Sequence, residues 1–147
     1  MNILLVQADG VDLFATLLKS ETSRAALAFY RPSRLDYGVL IRVASLGSAL
    51  SLVSELRWYI RRYVRDVFFE VSDGVYCSRL LAEQIYERDV KLEMPWAHRR
   101  LSVMRDGRQV ASLWMREGTE RENYRGDYDP RDELLEIWCA SEEHSDT

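Results

Sequence analysis

Apolar residues recur along this chain with two different periods, and the change from one to the other divides it. From Leu46 to about Arg65 they return every three or four residues (Leu46, Leu50, Val53, Leu56, Ile60, Tyr63 and Val64), which draws a single apolar stripe down a helix. Val11 to Tyr30 repeats the pattern more loosely through Leu13, Leu17, Leu18, Ala25, Leu27 and Phe29. Asp12 can cap its start and Pro32 stops it, which fits one helix or two short ones. Ser78 can cap a further helix reaching about Arg88, with Leu81 and Ile85 turned inward. The strand signals are shorter. Asn2 to Gln7 is an apolar run, Tyr37 to Ala44 alternates through Val39, Ile41 and Val43, and Val67 to Val71 is β-rich and bounded by Asp73-Gly74. Val90 to Met94 reads as a strand ended by Pro95, and Leu134 to Ala140 as the last strand.

The strongest local signal is LSVMRDGRQVASLWM, residues 101–115. Asp106-Gly107 supplies the two positive φ angles of a two-residue hairpin turn. Arg105 then faces Arg108, Val103 pairs Val110 and Leu101 pairs Ser112, with Leu101, Val103, Val110 and Trp114 on one face. Helices early and antiparallel strands late imply an α+β fold: a mainly antiparallel sheet with a C-terminal β-hairpin (about 101–115), packed on one face by two to three helices. Residues 1–140 read as a single globular domain and 141–147 as a disordered tail. Between hairpin and last strand lies a long acidic, Tyr-containing loop, 116–133, without periodicity. Structureless loops of that length are uncommon in compact domains and tend to be functional or disordered.

A chain of 147 residues is long enough to bury roughly 70% of its unfolded surface and needs no staples. The formal net charge of −4 argues against non-specific nucleic-acid binding by the whole surface, though not against a local basic patch. The charge is uneven: residues 116–147 hold 11 acids and 4 bases, which leaves the body before them mildly basic. The longest uncharged stretch, Val43 to Ser54, is 12 residues, well short of the roughly 20 that a membrane-spanning helix needs. The opening lacks a basic segment before its short apolar run and reads as a strand. A cytoplasmic protein is expected, with Cys77 and Cys139 as reduced thiols of the core.

MNILLVQADG…DLFATLL resembles the start of a response-regulator receiver domain, and YGVLIRVASLGSAL at 37–50 resembles its second strand and helix. The resemblance covers about the first third of the chain. The paired acids of that family would fall near Gln7, Ala8 and Asp9, of which one is acidic. No matching phospho-acceptor Asp follows a third strand, and the later Lys-Pro pair is missing. Receiver chemistry is therefore not expected.

The remaining chemistry is sparse. GDYDPRDE offers hard oxygens, but counting an EF-hand loop from Asp127 puts Arg131 at position five, Asp132 where glycine is required and Trp138 where the final acid belongs. No metal or other cofactor is expected. Of the two histidines, His98 has no Cys or Ser placed against it by the sequence, and the seven glycines form no phosphate loop. A non-catalytic protein is expected, with an enzyme using a carboxylate or His98 as the third reading. Two surfaces remain. Arg57, Arg61 and Arg65 recur every four residues with Arg62 adjacent and Trp58 and Tyr59 flanking them, a pattern suited to a nucleic-acid-binding helix face. The acidic loop carries Tyr124, Asp127, Tyr128, Asp129, Asp132 and Glu133. Its tyrosines either fold back on the hairpin or face a partner, and outward they would make an acidic surface suited to one protein partner with a basic surface. The leading expectation is a partner-binding protein, most concretely a small bacterial inhibitor of the toxin-immunity type that occludes a toxin or nuclease. The alternative is a nucleic-acid-binding module using the Arg57–Arg65 face.

Overall fold

The apolar run Asn2–Gln7 forms strand β1, and the first half of the chain is arranged around it. The computed structural model describes residues 1–145. In order, β1 is followed by helices α1 (Leu13–Lys19) and α2 (Glu21–Ala26), strands β2 (Ser33–Leu35) and β3 (Gly38–Arg42), helices α3 (Leu46–Glu55) and α4 (Arg57–Tyr63), strands β4 (Val64–Ser72) and β5 (Val75–Ser78), and helix α5 (Arg79–Tyr86). Strands β6 (Arg99–Arg105) and β7 (Arg108–Trp114), a 3-10 helix (Arg121–Asp127), strand β8 (Glu133–Trp138) and helix α6 (Ser141–Ser145) complete it. The fold is α+β. Its eight strands form one mostly antiparallel sheet in the order β2-β3-β1-β4-β5-β8-β6-β7, with β5 and β8 parallel. β1 runs antiparallel to both β3 and β4, which is incompatible with the parallel sheet of a receiver domain.

The sheet is buried on both faces at its centre, which is why β1 reads as a continuous ILLV rather than an alternation. Ile3, Leu5, Ile41 and Phe69 point to one face, where α1 to α5 cover them with Leu13, Leu17, Leu52, Leu56 and Leu81. Five helices pack here rather than two or three. Leu4, Val6, Phe68 and Ile137 point to the other face and are equally buried, joined by Tyr37 and Met104. Burying each such side chain stabilises by about 1.5–3 kcal/mol. Tyr37 directly precedes β3 and Met104 lies on β6, strands separated by five inter-strand spacings, roughly 24 Å in a flat sheet. They share one cluster because the sheet curls until its two outer hairpins meet. At the meeting point a Cβ on Gly107 would come within 2.7 Å of the Asp36 carbonyl oxygen.

Several expectations need correction. The stripe from Leu46 to Arg65 breaks at Leu56 into α3 and α4, and Arg65 lies on β4. Val64 and Asp66 pair with Gln7 and Val6, so strand pairing with β1 ends the helix before its apolar pattern does. Val90 to Met94 forms no strand. Val90 and Leu92 pack on the helix-side core, and the Trp96 indole donates to the Cys139 carbonyl at 2.9 Å. In the hairpin, Asp106 and Gly107 take φ of 51° and 82° and Arg105 faces Arg108, but a bulge pairs Val103 with Ala111 and Leu101 with Leu113. Val110 is therefore turned to solvent and Trp114 to the face opposite Leu101.

The C-terminal segment forms α6 instead of a disordered tail; residues 146–147 lie outside the described residues. Side-chain contacts hold it. Glu143 accepts from the Ser78 hydroxyl, Glu142 from Gln84 at 2.6 Å, His144 stacks on Trp114 at 4.1 Å, and its Nδ1 meets His98 Nδ1 at 3.0 Å. Cys77, on β5, and Cys139, just past the end of β8, are free and buried. Cys77 belongs to the helix-side core and Cys139 to the opposite one, so their thiols point apart. No helix among the described residues is long and apolar enough to cross a membrane.

Candidate docking site

The acidic segment 116–133 folds back on the hairpin, and Tyr124 is the reason. Its ring is 2% exposed among Leu101, Val103, Met115 and Leu134, and its hydroxyl accepts from the Arg116 amide at 2.8 Å. Tyr128 packs partly on the same cluster. Asp132 is also interior, 3% exposed, and receives both arms of Arg105 at 2.7 and 2.6 Å. Those hydrogen bonds hold its carboxyl below the ordinary range for aspartate. Asp129 binds the Arg131 amide and guanidinium, and its carboxyl is pulled down to about 2 by them. Arg125 secures the turn by donating to the carbonyls of Asp129 and Asp132. Of the six residues expected to face a partner, then, Tyr124 and Asp132 build the fold, Tyr128 and Asp129 are partly buried, and Asp127 and Glu133 stand at the surface.

Glu133 has company that the sequence does not show. Where the β2–β3 and β6–β7 turns meet, two concavities open side by side and share Asp36, Asp106 and Gly107. Glu133, Asp132 and Arg131 border the first, and Asp9, Asp12 and Arg34 border the second. The charges sort into two groups. Asp12 is paired with Arg34 at 2.7 Å, Asp132 with Arg105, and Asp129 with Arg131. Asp36, Asp106 and Glu133 form no ion pair among the described residues. The paired acids stiffen the frame, and the unpaired ones face water. Beneath them, burial and the Glu133 carboxylate push the Tyr37 hydroxyl far above its ordinary pKa, so it stays a neutral donor beside Glu133. The two concavities offer carboxylates, guanidinium groups and a phenol, with no Ser, Thr, Cys, His or Lys.

The arginine surface is smaller than expected. Arg65 lies 3.9 Å from Asp9 and 4.0 Å from Asp66, apart from the helix. Arg62 folds over the Trp58 ring at 3.8 Å and donates to the Trp58 carbonyl. Arg57 and Arg61 remain exposed on α4 without an acidic partner among the described residues, beside a half-exposed Trp58.

The model of a family of unknown function, DUF5804, matches residues 1–103, more than two thirds of the chain. The chain belongs to the DUF5804 family. The DUF5804 match takes in Asp36 and the α4 arginines and ends inside β6, so Asp106 and Glu133 lie beyond it. No curated protein and no solved structure matches the chain. Asp36 and Asp106 are the residues that sequence reasoning missed as binding groups. Both sit in two-residue hairpin turns, where an aspartate is ordinary, and only the curl of the sheet brings them together.

Proposed function

We propose that this protein is a non-catalytic binding protein that docks a basic surface of one protein partner onto the acidic corner. In its most concrete form it is a small inhibitor of the toxin-immunity type that occludes its target. The observation that supports this reading is the convergence of Asp36, Asp106 and Glu133, unpaired, around two concavities whose other acids are already neutralised. Such a surface attracts a basic partner and speeds its association, and a stiff frame lowers the ordering cost of docking. A second reading rests on Trp58, Arg57 and Arg61: a guanidinium-and-indole patch that single-stranded nucleic acid could stack on.

One experiment separates the two. Tagged protein is used to capture partners from host lysate, in parallel with Asp36→Asn/Asp106→Asn/Glu133→Gln and with Arg57→Glu/Arg61→Glu. Asparagine tolerates the positive φ at position 106, so the first variant should keep its melting temperature. The expected result is one stoichiometric basic protein, lost with the neutralised corner and retained with the reversed arginines. Capture of nucleic acid that only the arginine variant loses would replace the docking reading with the second. A protein partner held equally by all three forms would sink both.

A further inference from the structure

The parallel pair β5–β8 marks a seam, and a groove of about 560 Å³ runs along it. On one side the helix-side core ends at Trp96 and Trp138. On the other stands the folded-back segment, presenting Glu120 and Glu122. Glu136 and Trp138 of β8 lie between. The groove shares no residue with the acidic corner. We propose that it is a binding site for a small organic cation, an ammonium or guanidinium group carried on a compact apolar body.

The argument starts from Glu136, a carboxylate only 9% exposed. Its Oε2 accepts from the Trp138 indole at 2.7 Å. Its Oε1 forms a long ion pair with Arg99 Nη1 at 3.7 Å, beyond hydrogen-bond distance, and accepts no hydrogen bond among the described residues. Arg99 offsets the charge of this carboxylate, but Oε1 keeps a hydrogen-bond acceptor position open towards the groove. The two guanidinium groups that line the groove direct their hydrogen bonds elsewhere, Arg99 keeping only its long ion pair to Glu136. Arg99 donates to the Arg116 carbonyl at 3.2 Å, and Arg121 to the carbonyls of Gly74 and Leu134. The Trp96 and Trp138 rings lie 17° from parallel with centroids 6.4 Å apart, giving an indole wall beside that acceptor. Tryptophan is the best aromatic partner for a cation, and the attraction grows where water is excluded. Glu120 and Glu122 at the opposite wall add negative potential and disfavour anions.

The test uses the full chain and three probes of one shape: benzylammonium, benzyl alcohol and benzoate. Binding is followed by the four indole N–H resonances in NMR. Benzylammonium should shift Trp138 and Trp96 saturably and leave Trp58 and Trp114 unmoved, with benzyl alcohol and benzoate at least roughly tenfold weaker. Glu136→Gln keeps an acceptor for the Trp138 indole and should weaken benzylammonium by about tenfold or more, approaching the neutral probe. Should Glu136→Gln lose its fold, shown by collapse of the Trp58 and Trp114 resonances, the wall variant Glu120→Gln/Glu122→Gln carries the same comparison with a smaller expected loss. Equal binding of benzyl alcohol would reduce the site to an apolar groove and overturn the proposal. Tighter binding of benzoate, or no indole shift up to about 10 mM benzylammonium, would overturn it as well.

Discussion

Gly38 sits opposite Val6 in the β1–β3 ladder, and a Cβ there would collide with the Leu5 carbonyl oxygen. The obstacle is backbone, in a strand buried on both faces, so it has nowhere to move. Gly38→Ala should destabilise by about 2 kcal/mol or more, at the upper end of what overpacking a core costs. Urea unfolding would measure it, and a loss within experimental error would show that β1 and β3 are not this close. Gly107 is constrained differently, by a positive φ and by the Asp36 carbonyl at once. At the same scale, the acids of the 116–133 segment differ from one another for local reasons. Asp132 is interior because Arg105 meets it with both arms, and Glu133, the next residue, points the other way along β8 and stays exposed. A run of acids read as one surface is, residue by residue, a buried anchor beside an open charge.

Among the elements, the 3-10 helix Arg121–Asp127 depends most on a single side chain. Tyr124→Ala should cost about 3–5 kcal/mol, the range for emptying a buried aromatic site. Thermal or urea unfolding would check it, and a loss below about 1 kcal/mol would mean that the segment is not docked in solution. Such an element is hard to read beforehand, since one anchor makes no period. What was legible follows the same logic. Asp106-Gly107 carries its own turn geometry, and Asp12 and Ser78 their own cap chemistry, accepting from Ala15 and Leu81 as expected. The apolar runs of β1, β3, β4 and β8 needed no partner to be recognised. Illegible were the choices that tertiary contacts make. Val64 and Arg65 continue a helical stripe, yet Val64 pairs with Gln7 of β1 and Arg65 falls in the bulge beside it. β2 is only three residues, and Val90 to Met94 has strand composition but packs Val90 and Leu92 on the helix-side core instead of joining the sheet. The acidic corner belongs with these, because Asp36 and Asp106 are neighbours only through the curl.

For the molecule as a whole, the two sides of the pH scale test different parts of the fold. Asp129 and Asp132 have carboxyls held below their ordinary range by Arg131 and Arg105. A depressed acid stabilises the fold above its unfolded pKa and ceases to as pH falls through the folded one, so this contribution should fade from about pH 4 towards 2. It concerns the folded-back segment and the frame of the corner. Cys77 and Cys139 behave oppositely. Burial, and then the nearby Glu143 carboxylate, pushes both thiols up to about 12, whereas unfolded thiols ionise near 8.5. A raised acid favours the fold while both states are protonated, so stability is intact below about pH 8.5 and declines as pH rises towards 12. The thiols report on the two cores either side of β5 and β8. Urea midpoints between about pH 3 and 10 should therefore form a plateau that slopes down at both ends. Cys77→Ala/Cys139→Ala should lower the plateau through lost packing yet push the alkaline decline towards about pH 10, where tyrosines take over. An alkaline slope that the double variant leaves in place would show that the thiols are not buried as this sheet places them.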